Sequence, residues 1–136
     1  MIKNADMTIY NVTVAKDGVE YQRTSLYGVS WQGVIKSIVS KEGLVSADVT
    51  KVFIPFDITV DKAYKDPVAY QSADKDKIFT LAKGDLIVRG VVDDEIHSPT
   101  DLQVLKAAHE VLTVTGVATH DNGGPKVRHW ELEARA

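Results

Sequence analysis

The chain is a succession of short runs rich in valine, isoleucine, threonine and aromatic residues, each cut off by a glycine, aspartate or proline cluster. β-Branched and aromatic side chains fit a pleated, half-buried surface. That punctuation leaves room for strands rather than for long helices. The first run, Met7 to Ala15, carries Ile9, Tyr10, Val12 and Val14. Lys16-Asp17-Gly18 follows, and Asp-Gly signals a tight hairpin because glycine accepts a positive φ without steric cost. A strand over about Val19 to Tyr27 completes that hairpin.

After Gly28 the pattern resumes from Val29 to Val39 with Trp31, Val34, Ile35, Ile38 and Val39. Gly28 and Gly33 weaken a helix and β-branched residues dominate, so this run also reads as a strand. The turn Lys41-Glu42-Gly43 leads to a strand over Ala47 to Ile54, which Pro55 ends because it cannot donate to a ladder. Asp61 to Asp76 lacks periodicity and reads as a long loop. Such loops in compact domains tend to be functional or mobile, which makes Tyr64, Asp66 and Tyr70 candidate partner contacts.

Lys77 to Leu81 is strand-like again. The turn Ala82-Lys83-Gly84-Asp85 then leads to an apolar strand from Leu86 to Val92, in which Gly90 marks a bulge or bend. Ser98-Pro99-Thr100-Asp101 is a helix start: a capping hydroxyl, proline at the first helical position and an acid in the first turn. One helix follows over Pro99 to Ala108, with a stripe of Leu102, Leu105 and Ala108, extended by Val104, to pack on the sheet. Glu110 to His120 and Lys126 to Ala134 form a terminal hairpin about Asp121-Asn122-Gly123-Gly124-Pro125. Seven or eight short strands, one short helix and a long inserted loop imply a mainly β fold, a small barrel or sandwich, as a single domain over residues 1–136.

The absence of cysteine in the 136 residues removes disulfides, thiolate nucleophiles and cysteine-ligated metals. A net charge of −3 gives no basic face for gripping nucleic acid. No apolar run is long enough to span a bilayer, and the amino terminus lacks the pattern of a signal peptide, so cytoplasmic synthesis is expected. There is no HExxH, no GxSxG elbow, no Walker loop and no GxGxxG; Ser30, between Gly28 and Gly33, has the wrong spacing for an elbow. His120 and His129 can face each other across the terminal hairpin, which reads better as a surface or hydrogen-bonded pair than as a metal site. Asp93-Asp94-Glu95 reads as a solvated strand end rather than a calcium loop. No catalytic residue, cofactor or metal is therefore expected. Trp31 and Trp130 fit either interface anchors or core positions.

Taken in order, Thr8-Ile9-Tyr10-Asn11, Gly28-Val29-Ser30-Trp31, Gly43-Leu44, Ile54-Pro55, the polar insertion, Lys83-Gly84-Asp85-Leu86-Ile87-Val88-Arg89-Gly90 and His129-Trp130 resemble the small head-completion proteins of long-tailed bacteriophages and prophages. These are the head-closure, stopper or minor capsid proteins. The resemblance lies in order and spacing along most of the chain, not in a diagnostic motif. It implies a non-enzymatic virion protein at the head-tail junction, self-associating as a ring beneath the portal and adaptor and offering a surface to the tail. It also implies that residues 61–76 line or plug the channel, touching packaged DNA without sequence specificity. A tail-terminator or tail-completion role is the nearest alternative. A small β-barrel ligand-binding module, or a hydrolase assembled from His97, His120 and Asp121, is the alternative from another class.

Overall fold

A computed structural model describes residues 3–136 apart from 16, 17, 41, 42, 74, 125 and 126, and the backbone alone at 15, 34–40 and 43–48. The turn residues Lys16, Asp17, Lys41, Glu42 and Pro125, together with Lys126, fall outside that description. The chain is mainly β, as its patterning demands: β1 (Ala5–Ala15), β2 (Gly18–Ser40), β3 (Gly43–Pro55), β4 (Ala63–Tyr64), α1 (Pro67–Gln71), β5 (Ile78–Phe79), β6 (Leu86–Arg89), α2 (Pro99–Ala108), β7 (Val111–His120) and β8 (His129–Arg135). Six strands close on themselves in the order β1-β2-β3-β8-β7-β6, and β6 returns to β1 through Met7↔Arg89 to Tyr10↔Leu86. All pairings in this barrel are antiparallel. Between the two expected architectures, closure selects the barrel.

Alternation along each strand fills the interior. Trp130, Leu132 and Ala134 of β8 point inward beside Leu112 and Val114 of β7. Met7 and Ile9 of β1, Leu26 and Val29 of β2, Val52 and Ile54 of β3 and Ile87 of β6 complete that core. Neighbouring positions of β1 and β6 point outward and would be wet in a bare barrel. Here Tyr10, Leu86 and Val88 are covered by Val92, Ile96 and Leu105, a second apolar layer that seats α2 on the wall. The helix begins where its capping residues predict: Ser98 Oγ accepts from Asp101 N at 3.2 Å, and Asp101 Oδ2 accepts from His97 N at 2.9 Å. Of the expected stripe only Leu102 and Leu105 pack inward; Val104 and Ala108 are exposed.

Three expectations are corrected. Gly28 does not divide two strands: β2 runs for 23 residues, bulging at Gly28 (φ +91°) where its register with β1 shifts, and changes neighbour from β1 to β3. The strand from Leu86 stops at Arg89, because Gly90 takes φ +95° and turns the chain out of the wall. The turn is held there by Gly90 N donating to Asp6 O at 2.7 Å and by Thr8 Oγ1 donating to Gly90 O at 2.8 Å. Residues 61–76 are not a bare loop, since they contain β4 and α1. β4 pairs in parallel with β5, and Tyr64 meets Trp130 and Phe79 at ring-centroid distances of 4.4 and 5.8 Å.

A buried polar knot ties this excursion to the barrel. Asn11 Nδ2 donates to Thr80 O at 2.6 Å and to Asp85 Oδ2 at 2.9 Å, while Asn11 Oδ1 accepts from Thr80 N at 3.2 Å. Asp85 also accepts from Val12 N and Ala82 N, both at 3.0 Å. Burial raises the Asp85 carboxyl to about 6, a rise that these hydrogen bonds to the ionised form oppose. An unpaired polar atom here would cost about 1–3 kcal/mol. The knot therefore specifies one register for the β1, β5 and β6 segments it joins.

Candidate interaction site

Closure removes strand edges from most of the barrel, so whatever edge remains is informative. The larger one belongs to β2 and β3. Their mutual register runs from Ser30↔Phe53 out to Ser40↔Gly43, but β8 accompanies β3 only from Pro55 back to Thr50. From Val34↔Val49 to Ser40↔Gly43 the two strands thus form a ribbon of seven pairs with no third strand among the described residues. At roughly 3.3 Å per residue this arm is about 23 Å long. Its sequence is Val34-Ile35-Lys36-Ser37-Ile38-Val39-Ser40 on one strand and Gly43-Leu44-Val45-Ser46-Ala47-Asp48-Val49 on the other. A two-stranded hairpin standing alone in water is marginal, and an apolar edge of this length is a template for pairing with another chain.

A second open edge lies at the other end of β2. From Gly18 to Ser25 this strand has β1 on one side and, among the described residues, no strand on the other. Lys62 Nζ touches that edge by donating to Arg23 O at 2.7 Å, and Tyr27 N donates to Thr59 O at 3.1 Å. Beside it runs an open polar groove of about 420 Å³ lined by Arg23, Tyr27, Asp61, Lys62, Asp93 and Glu95. Arg23 is its hub: Nε donates to Glu95 Oε1 at 2.8 Å and Nη1 to Val92 O at 3.1 Å. The hydrogen bond that Arg23 donates to Glu95 raises the Arg23 pKa further, and burial lowers that of Lys62. Tyr10 donates to Asp94 O at 2.7 Å beneath, its hydroxyl pushed up to about 12 mainly by burial. The acidic run therefore anchors the segment that carries α2. No nucleophile-base pair occurs in these contacts.

Most of the residues singled out as partner contacts are wholly or partly buried. Asp66 caps α1, its Oδ1 accepting from Val68 N at 3.1 Å and Ala69 N at 3.0 Å. Tyr70 is fully buried, and burial pushes its hydroxyl up to about 12. Tyr64 is half-buried against Trp130, which is itself a core residue at 6% exposure. Trp31 is half-buried against the same core at the foot of the arm. These side chains hold the barrel and its excursion together, and only Asp66 among them is exposed.

His120 and His129 do face each other across the β7–β8 hairpin, with stacked rings 4.7 Å apart. His97 lies before α2 and His109 caps its end. Among the described residues no three histidine, aspartate or glutamate side chains gather to hold a metal, so His97, His120 and Asp121 form no such group. Also among the described residues, no helix is long and apolar enough to cross a membrane.

Sequence reasoning missed Arg23 and the Asn11–Asp85 knot. A lone arginine amid a β-branched run, and an aspartate closing the Lys83-Gly84-Asp85 turn, were the available signals. A family model described as a family of unknown function, DUF6751, matches residues 2–135. No curated protein and no solved structure matches the chain.

Proposed function

We propose that this chain, which belongs to the DUF6751 family, is a non-enzymatic structural subunit that assembles into a ring as a head-tail connector of a phage or prophage particle. The reading rests on one observation: the barrel is closed, yet seven pairs of β2 and β3, of largely apolar sequence, leave it as a ribbon with no third strand on either edge among the described residues. A ribbon of that kind gains stability by lying along another subunit, and repetition of one such contact generates a ring when the rotation closes. The resemblance in strand order supplies the place of assembly, beneath the portal and adaptor. A net charge of −3 suits a channel past which DNA slides, because few cationic side chains grip phosphate.

The element that reaches outward in this reading is the arm and not residues 61–76. That excursion is tied down by Ala63 N donating to Lys77 O at 3.0 Å and Lys65 N to Phe79 O at 2.9 Å, as well as by Tyr64 and Tyr70. The test is electron microscopy of the protein mixed with the portal and adaptor proteins encoded beside it, with an arm-shortened variant as control. Ring density below the portal, lost in the variant, supports the connector. Density capping isolated tail tubes instead supports the tail-terminator role. A chain that binds neither and stays monomeric at high concentration overturns the proposal.

A further inference from the structure

The outer face of the terminal hairpin carries a paired feature away from the arm. His120 and His129 are direct cross-strand partners in the β7–β8 register. Side chains at such positions share a face and leave Cβ atoms about 5 Å apart, and here the rings stack at 4.7 Å with an interplanar angle of 27°. His129 is oriented from two further sides. Its Nδ1 donates to Val127 O at 2.8 Å, and the Phe53 ring meets it edge-on at 5.6 Å. With the proton on Nδ1, the lone pair of Nε2 is left free. A backbone carbonyl accepting from the other ring nitrogen is the support that metal-bound histidines ordinarily have.

We infer that His120 and His129 form a two-imidazole chelate for a borderline divalent cation of the Zn2+, Ni2+ or Cu2+ class. Two imidazole nitrogens bound to one ion at about 2.1 Å stand roughly 3–3.5 Å apart. Rings already paired at 4.7 Å reach that separation by tilting toward one another, without a change in strand register. Imidazole selects these ions over Mg2+ and Ca2+, which take oxygen ligands. Glu131 lies two residues along β8 from His129, on the same alternating face, and Asp121 follows His120 at the exposed hairpin end. Both add negative potential near the ion. No third ligand is assembled among the described residues, so the remaining positions belong to water or to a carboxylate brought by a docked partner. The site is thus an exchangeable one, unlike the closed four-ligand sites that hold structural zinc.

The test is isothermal titration of the full chain with Zn2+ and with Ni2+ at pH 7.5, alongside His120→Ala, His129→Ala and the double variant. His97→Ala and His109→Ala serve as controls. One ion per chain is expected, weakened more than about tenfold by either substitution in the pair and unchanged in the controls. A fold check by circular dichroism keeps a misfolded variant from counting, and His120→Gln provides a second, more conservative removal. Absence of saturable uptake by the wild-type chain overturns the inference, and so does uptake that survives in the double variant. Neither result bears on the ring, which is scored by microscopy without added metal.

Discussion

Strands β2 and β3 each live in two surroundings. Within the barrel, Val52 and Ile54 of β3 are fully buried, facing Leu132 and Trp130 of β8, and from Thr50 to Phe53 the strand is paired with both β2 and β8. A few residues earlier, from Gly43 to Val49, the same strand has β2 as its single neighbour among the described residues. The residue types barely change between the two halves, but the supply of partners does. β-Propensity decides only that both halves are extended; stability comes from what packs against them. The barrel half supplies the fold, and the arm half supplies an unfilled valence.

That contrast can be broken most directly by removing the arm. Replacing residues 35–48 with Asn-Gly, so that Val34 and Val49 flank a two-residue turn, should abolish ring formation entirely while lowering monomer stability by less than about 1 kcal/mol, a few degrees of Tm. Microscopy and a thermal melt read the two effects. A large fall in Tm would show that the arm belongs to the core, and the comparison would fail. Single truncations sharpen the contrast. Leu132→Ala should cost about 2–5 kcal/mol in urea denaturation because it opens a cavity in the closed core. Ile38→Ala in the arm should cost under about 0.5 kcal/mol in the monomer, its effect appearing instead in assembly.

The polar knot predicts a pH dependence confined to the barrel. Asp85 has a value of about 6 in the folded chain against 3.8 unfolded, so the folded state holds its proton more tightly. Its contribution is fully present below about pH 4 and is lost as pH rises through 6. Wild-type stability should therefore fall by up to about 3 kcal/mol from this group between pH 4 and pH 7. The slope should flatten in Asp85→Asn, whatever the absolute stability of that variant. Denaturation at a series of pH values compares the two chains. The helix caps carry a smaller effect than the knot. Ser98→Ala should cost about 1 kcal/mol, with an equal or lower cost for Asp66→Ala, since α1 is only five residues long.

The helix α2 was legible to the residue, because Ser98, Pro99 and Asp101 act within one turn of each other. The β1–β2 and β7–β8 hairpins were legible for the same reason: turn chemistry is local. Closure of the barrel depends on Met7 to Tyr10 meeting Leu86 to Arg89, nearly eighty residues away, and nothing local records it. The segment 61–76 looked like a loop because α1 has a single buried residue, Tyr70, too few for a periodic signal. Its tyrosines suggested partner contacts; within the chain Tyr64 packs on Trp130 and Phe79, and Tyr70 is buried. The arm was visible as two strand-like runs. That they outrun their neighbours became apparent only once the register of β3 with β8 was known.

The unbroken course of β2 has a mechanical consequence. Its 23 residues, some 75 Å of contour at about 3.3 Å each, run from the first hairpin into the arm as one strand, bulged only where Gly28 takes φ +91° and the register with β1 shifts. A pull applied at the arm loads the strand lengthwise, so the eleven register pairs with β1 share the force in shear rather than parting one after another. In the proposed ring the arm would thus act as a tie rod built into the barrel wall, delivering tension to the long β1–β2 ladder.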